Sequence, residues 1–332
     1  LIKYYFSKLK SNPELHDKIE FKIVHDCLDF TFEDTANELI KNGFTSKEIQ
    51  SLEKGLNKIT NNIIKNADEI FNEDEDSLKI LTENRREIDL EIKKGISFSS
   101  ALKFAKKLLE DVYCHGIPQF CRAARMAFIG RRIIKSSNRI NSITSDEINS
   151  FWSSFPTIVT ELKNDLDKLN NKEYKLDEFL GKYGHLRPGT YDITSLTYEK
   201  CPGYIANKTS STKLRTRVSD LDHKEKNLYN FSNKINEICL KKFSFSGDEL
   251  LNFSRKSTQF REKFKFEYTK NISLALELFA LCGDMNGYSR EQISNLDIDV
   301  LYIPIHNQLS NLEEILNIWD SVINSRIIEK SY

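Results

Sequence analysis

The order of apolar and polar positions along this chain predicts a succession of helices, without the strand–helix alternation of a parallel α/β protein. Glycine and proline are scarce, at 12 and 6 of 332 residues, which favours long helices over many turns. Capping boxes mark four helix starts. In each box a Ser or Thr hydroxyl accepts a hydrogen bond from a helical N–H, and an acidic or amide side chain three residues later accepts from the backbone N–H of that Ser or Thr. The boxes pair Thr45 with Glu48, Thr144 with Glu147, Ser246 with Glu249, and Ser289 with Gln292. We therefore predict an all-α fold, a large irregular helical domain with no parallel sheet.

Two polar stretches lack apolar periodicity and predict loops. The first is the acidic run 72–77 (NEDEDS), and the second is 208–227, which is rich in Ser, Thr, Lys, Arg and Asp. The second stretch predicts a division into two lobes. The predicted parts are a helical lobe at 1–205, a polar linker or flap at 206–228 and a second helical lobe at 229–332.

The composition, 39% hydrophobic and 30% charged, is typical of a soluble globular protein. Basic and acidic residues number 49 each, so nothing favours nucleic acid or a membrane as a partner. The 6 cysteines are scattered without a CxxC pair, which predicts free thiols in a reducing cytoplasm. No two histidines have metal-ligand spacing on a helix face, so we expect no metal site. Leu1 is not an initiator methionine and no signal-peptide pattern follows it, which predicts part of a longer polypeptide.

The sharpest candidate for chemistry is the segment 184–192 (GHLRPGTYD), which follows an amphipathic helix predicted at Leu176–Tyr183. Gly184 is expected to end that helix in the left-handed conformation, and Pro188 with the following glycine supplies a tight turn. Arginine can hold a phosphate or carboxylate in a two-pronged fork, and His and Asp can hold an acceptor or move its proton. The residues alone leave a buried polar loop between two helices equally open. The candidate side chains are those of His185, Arg187, Tyr191 and Asp192.

Two further segments place basic residues in rows. In the helix predicted at 121–139, small residues on one face allow close packing, and arginines that include Arg125 lie on the other face. In the segment 261–269, Arg261 and Lys265 share a stripe at the start of a helix that continues as a nearly apolar, buried run. Each row could face an anionic ligand. The favoured alternatives are a solvated basic face for the first row and protein carboxylates for the second.

Four segments together resemble one family, and they occur in the order expected for it. They resemble the region between the two catalytic modules of phosphoenolpyruvate-synthase-like phosphotransferases, a group that includes rifampin phosphotransferase. The resemblance covers most of the chain over 12–301, and the GHxRPGTYD loop is its most specific part. Asn12 stands where the family pattern has histidine, which weakens any role for the first segment; there, an exposed helix start with local ion pairs is favoured. The segments are NPELHDKIEF (12–21), ARMAFIGRRIIKS (124–136), FLGKYGHLRPGTYDITS (179–195) and FREKFKFEYTKNISLALEL (260–278).

The resemblance implies three parts in one polypeptide. An ATP-grasp domain binds ATP with Mg²⁺, a swivelling domain carries the phosphate on a histidine, and a central helical domain binds the small-molecule acceptor. The overall reaction turns ATP, water and acceptor into phospho-acceptor, AMP and phosphate. This chain shows neither an ATP-grasp pattern nor a swivelling-histidine segment, so we expect the acceptor-binding part, with no cofactor of its own and no activity alone. Within the family the resemblance extends to the L-glutamine kinase of bacterial capsule phosphoramidate synthesis, which makes L-glutamine an expected acceptor.

Phosphoryl transfer depends on positioning and charge neutralisation, which polar and basic side chains around an acceptor can supply. We expect the loop residues to line a cleft that faces Arg261 and Lys265. In that account Arg187→Lys lowers turnover with little loss of melting temperature. The alternatives are a non-catalytic helical scaffold, with the same polar groups in buried networks, and an enzyme of another class. The expected acceptor-binding residues are His185, Arg187, Tyr191, Asp192, Arg125, Arg261 and Lys265.

Overall fold

The regular structure of this protein is helical throughout the residues that a computed structural model describes, which are 1–19, 23–139, 143–206, 219–306 and 311–330. No strand occurs in these ranges, so the predicted all-α fold is confirmed. None of the helices within them is both long and apolar enough to cross a membrane. In chain order the helices of eight or more residues are α1 (Ile2–Ser11), α2 (Phe32–Lys41), α3 (Ser46–Lys65), α4 (Ala67–Lys93), α5 (Phe98–His115), α6 (Ile117–Ser136), α7 (Ser145–Trp152), α8 (Ile158–Asn170), α9 (Leu176–Tyr183), α10 (Ser219–Lys242), α11 (Gly247–Asp284), α12 (Ile298–His306) and α13 (Leu312–Lys330).

Local capping fixes several of these helix starts as predicted. The Thr45 and Thr144 boxes open α3 and α7, with the hydroxyl and the glutamate each bonded to the other residue's backbone N–H. Ser246 stands before α11, where its Oγ accepts from the Glu249 N–H at 3.2 Å and its own N–H donates to the glutamate at 2.6 Å. The Ser289 box opens the short helix Arg290–Ile293. All four predicted boxes are therefore confirmed.

The chain divides into two compact units, each assembled from three separate stretches. Both predicted lobes contribute to both units, so the units do not coincide with the lobes at 1–205 and 229–332. Three of the five division points fall inside α4, α6 and α11, because these long helices carry the chain from one unit to the other. The first unit contains Leu1–Glu73, Cys121–Thr157 and Leu214–Arg261, and the second contains Asp74–Phe120, Ile158–Lys213 and Glu262–Tyr332.

The first unit packs around one apolar cluster that includes the fully buried Phe151 and Phe231. The small-residue face predicted for α6 lies in this interior, where a Cβ added to Gly130 would approach Ser254 Oγ to 2.5 Å. Close approach of α6 and α11 at this point therefore requires glycine. The close helix packing predicted from the small residues is confirmed at Gly130.

The second unit contains a large apolar cluster around Trp319 and Phe279 and a smaller one around Phe179 and Tyr183. The smaller cluster buries one face of α9 completely, since both aromatic side chains are 0% exposed. It therefore fixes the direction in which the chain leaves α9 and enters the candidate loop.

The acidic run 72–77 is part of α4, so its prediction as a loop was wrong. The buried positions Phe71, Asp74 and Leu78 continue the three- and four-residue spacing of a helix through the run. Asp74 occupies one of these inward positions although it is an acidic residue, and this polar residue interrupted the apolar pattern. Of the predicted linker at 206–228, residues 219–228 belong to α10, and 207–218 lie outside the described residues.

Candidate functional site

The candidate loop begins at Gly184, directly after α9, whose predicted bounds are confirmed. Gly184 is right-handed, with φ −57° and ψ −29°, so the left-handed conformation predicted for it was wrong. A Cβ at this position would lie 2.4 Å from the Leu180 carbonyl oxygen and 3.2 Å from Glu199 Cβ. The glycine is required because two parts of the chain approach it closely, and no positive φ is involved.

The loop closes on itself through backbone hydrogen bonds. The Tyr198 N–H donates to the Leu186 carbonyl at 2.7 Å, and the Glu199 N–H donates to the Gly184 carbonyl at 3.1 Å. At the tip, Asp192 Oδ1 accepts from the Thr194 N–H at 2.9 Å, which forms a local side-chain turn. These bonds hold the loop as a rigid element rather than an open connection.

Arg187 fills the interior of this loop, and its side chain is only 1% exposed. Its Nη1 donates to the carbonyls of Asp192 and Ser195 at 3.2 and 3.0 Å. Its Nη2 donates to Ser273 Oγ at 2.9 Å and to Glu277 Oε1 at 3.1 Å, both on α11. Burial lowers the pKa of Arg187, and the Glu277 carboxylate opposes that shift. The guanidinium therefore ties the loop to α11, as in the buried polar loop that the sequence left open.

Glu277 is the anionic centre of this tether. Besides Arg187 it accepts from Arg290 at 2.5 Å and from Lys200 at 2.5 Å. Burial raises the pKa of Glu277, but the hydrogen bonds from Arg290 and Lys200 outweigh burial, and the net shift is downward. Three cations from separate parts of the second unit thus converge on one ionised carboxylate.

His185 is a neutral, mostly buried group. Its ring packs edge-on against Phe266 at 4.8 Å, and its Nε2 is buried without a hydrogen-bond partner among the described residues. Burial lowers the pKa of His185 to about 3, helped by the nearby charges of Lys270 and Arg85. At neutral pH the imidazole is therefore uncharged and cannot neutralise a phosphate.

Tyr191 and Asp192 form the exposed rim of the loop. The Tyr191 side chain is 59% exposed, and its hydroxyl lies 3.4 Å from the hydroxyl of Tyr268 on α11. Lys265 lies one helical turn before Tyr268, so both occupy the same stripe of α11. Lys265 is exposed. The structure thus brings Tyr191 to the stripe that the sequence identified.

A pocket of 280 Å³ adjoins this rim in the second unit. Tyr191 and Asp192 provide its polar edge, and most of its wall is apolar. Its deeper lining includes Leu276 and Phe279 of α11 and Leu109 of α5. A small ligand with an apolar part could lie there beneath the two exposed polar side chains.

The two remaining predicted residues, Arg261 and Arg125, belong to the first unit. The Arg261 guanidinium lies 5.7 Å from the Phe128 ring, and its Nε is buried without an acceptor in the described part of the chain. Arg125 is exposed on α6. On the same helix Arg132 pairs with two carboxylates, Asp26 at 3.3 Å and Asp29 at 3.0 Å. The predicted cleft that joins the loop to Arg261 draws on both units and stays a prediction.

Sequence reasoning missed a second polar feature, a groove of 470 Å³ between α4 and α11 in the second unit. Arg85 is one of its lining residues and donates to Glu267 Oε2 at 3.0 Å. Four-residue spacing of charged residues along α4 could have indicated this face, but the acidic run was assigned to a loop. The groove lining comprises Glu75, Leu78, Lys79, Thr82, Glu83, Arg85, Lys263, Glu267 and Lys270.

No protein-family model, curated protein or solved structure matches this chain. The resemblance to phosphoenolpyruvate-synthase-like phosphotransferases therefore rests on the four sequence segments and stays a prediction. Within the described ranges, no cluster of three or more His, Cys, Asp or Glu residues is placed to hold a metal ion.

Proposed function

We propose that this chain binds the small-molecule acceptor of an ATP-dependent phosphoryl transfer in which the phosphate arrives on a histidine of another domain. In this proposal ATP and Mg²⁺ bind to an ATP-grasp domain of the same polypeptide, and L-glutamine is the acceptor. The free cysteines and the use of ATP favour a cytoplasmic location.

The observation that carries the proposal is the contact between the Tyr191 and Tyr268 hydroxyls, which joins the loop rim to the Lys265 stripe. Lys265 has no carboxylate partner in the described part of the chain, so its ammonium is available to a phosphoryl oxygen. Tyr191 offers a hydroxyl that can accept from or donate to an acceptor molecule. The adjoining pocket provides room for the remainder of that molecule.

In this proposal Arg187 is a positioning residue that does not touch the acceptor. Four of its five hydrogen bonds go to the loop backbone or to Ser273, and the fifth goes to Glu277. Because the bonds come from both sides of the guanidinium, they hold the loop rim at a fixed distance from α11. Fixed placement of the acceptor is the main contribution that a phosphoryl acceptor site makes.

The second candidate is a non-catalytic helical scaffold, and the Arg187–Glu277 network is the observation that favours it. A closed network of this kind stabilises a loop whether or not a ligand binds nearby. The two candidates differ at the exposed residues, since a scaffold has no need for the Lys265 ammonium.

The experiment that tests the proposal measures AMP formation by the complete polypeptide with ATP, with and without L-glutamine. We expect glutamine-dependent AMP, and a loss of about tenfold or more in kcat/KM for Lys265→Met with an unchanged melting temperature. The control is Lys241→Met, an exposed lysine on α10, which should keep full activity. AMP formation that Lys265→Met leaves intact would favour the scaffold.

A further inference from the structure

The groove between α4 and α11 holds an arginine in a fixed orientation. Arg85 Nη1 donates to the Glu267 carbonyl at 3.1 Å and to Asn271 Oδ1 at 2.7 Å, and Nη2 donates to Glu267 Oε2 at 3.0 Å. The side chain is 12% exposed. A guanidinium has five N–H donors, and the others here have no acceptor among the described residues. Arg85 therefore offers an oriented, partly unused donor edge to the groove.

Two cations that line the groove share a single carboxylate. Glu267 is shared by two cations, since Lys270 lies 2.7 Å from its Oε1 while Arg85 holds its Oε2. One carboxylate thus faces two positive groups in the groove.

A second donor beside Arg85 also lacks an acceptor. Asn271 is 0% exposed, and its Oδ1 accepts from Arg85, which fixes the orientation of the amide. Its Nδ2 is therefore a buried donor, and it has no hydrogen-bond partner in the described ranges. Asn271 does not line the groove itself, so its contribution to the site is to hold the Arg85 guanidinium in place through Oδ1.

We propose that this groove binds a small molecule through one oxyanion group, a carboxylate or a phosphate, held by the guanidinium of Arg85. Lys270 adds positive charge to the groove, and Lys263 lies at the rim in an ion pair with Glu75 at 2.7 Å. The rim carboxylates, which include the exposed Glu83, exclude polyanions and favour a ligand with a single anionic group. The volume of 470 Å³ suits a metabolite-sized ligand.

This site is separate from the proposed acceptor site. Lys263 and Lys265 are two positions apart on α11, which places them about 200° apart around the helix. The groove and the Tyr191 rim therefore use opposite faces of α11. Failure of either proposal leaves the other standing.

The test is a titration of the folded 332-residue chain with glycerol 3-phosphate and, separately, with lactate, a monocarboxylate, at constant ionic strength set with chloride. We expect saturable binding of at least one probe, and the stronger of the two identifies the oxyanion class. Arg85→Gln should weaken that binding by about tenfold or more. Arg86→Gln, an exposed neighbour with the same change in charge, should keep it within about twofold.

Binding of neither probe would overturn the proposal, and so would equal losses in Arg85→Gln and Arg86→Gln, because equal losses indicate general charge attraction. Arg85 also supports Glu267, so the variant must keep the wild-type circular dichroism and melting curve. If it does not fold, Lys263→Gln at the exposed rim replaces it, with an expected loss of about threefold. Unchanged affinity in Lys263→Gln would then contradict the proposal.

Discussion

Arg187→Lys should destabilise the protein strongly, which reverses the expectation from sequence that it would mainly lower turnover. The guanidinium serves acceptors on two sides, the Asp192 and Ser195 carbonyls on one and Ser273 with Glu277 on the other. A single ammonium cannot reach both sides, so at least two buried acceptors lose their partners. At about 1 kcal/mol for each lost hydrogen bond, with more for the buried charge pair, we expect a loss of about 2–4 kcal/mol. The melting temperature should fall by about 3–6 °C for a chain of 332 residues.

Urea unfolding followed by circular dichroism at several wavelengths measures this loss directly. The matched control is Arg125→Lys, since Arg125 is an exposed arginine without a hydrogen-bond or ion-pair partner among the described residues, and its effect should stay within about 0.5 kcal/mol. A free energy of unfolding for Arg187→Lys within about 0.5 kcal/mol of wild type would refute the conclusion that Arg187 stabilises the protein by joining the loop to α11. That result would favour the prediction from sequence that Arg187 binds the acceptor.

Three further outcomes are expected. Gly130→Ala should lower the free energy of unfolding in urea by about 1–3 kcal/mol, because the added Cβ would lie 2.5 Å from Ser254 Oγ. The control is Gly55→Ala, whose added Cβ would have no atom within 4 Å, and it should raise the free energy of unfolding by about 0.5–1 kcal/mol. Burial lowers the pKa of His185 from its ordinary value of 6.5 to about 3 in the fold. The stability that the neutral, buried imidazole contributes is therefore fully present above pH 6.5, and it is lost as the pH falls towards 3. The difference between wild type and His185→Gln in unfolding experiments from pH 7 to 4 should therefore shrink as the pH falls, and a constant difference would argue against the depressed pKa. The 332-residue chain alone should incorporate no label from γ- or β-labelled ATP, and stoichiometric labelling of a histidine would contradict the division into separate domains.

Features set by neighbours in sequence were predictable here. The capping boxes and the bounds of α9 follow from residues within one or two turns, so the sequence contains all that determines them. The all-α class follows in the same way from the periodic apolar positions. Residue types alone also identified the loop 184–192 as a rigid polar element.

Features set by distant partners were not predictable. Arg187 looks like an anion-binding residue in sequence, but its partners Ser273 and Glu277 lie 86 and 90 positions away. Gly184 is required first by the Leu180 carbonyl four positions earlier, and only the second constraint, the approach of Glu199, has no local signal. Arg85 and Glu267 are separated by 182 positions, so the groove they form leaves no local signal.

The acidic run 72–77 shows a third limit of predicting helices from the sequence. A buried Asp74 on the inward face of α4 breaks the apolar pattern that reveals a helix, although the helix itself is continuous. Buried acidic residues of this kind are rare, and a rule based on apolar spacing assigns them to loops.

The most direct test of the central claim is a single-turnover measurement of phosphate transfer in the complete polypeptide. The protein is first labelled on its histidine from β-labelled ATP, freed of nucleotide, and then mixed with L-glutamine while the acid-labile phosphoprotein is followed in time. We predict that wild type loses its label to the acceptor rapidly, and that Lys265→Met is labelled to the same extent but discharges about tenfold more slowly or worse. Discharge of Lys265→Met at the wild-type rate, or no labelled histidine in the wild-type polypeptide, would contradict the account.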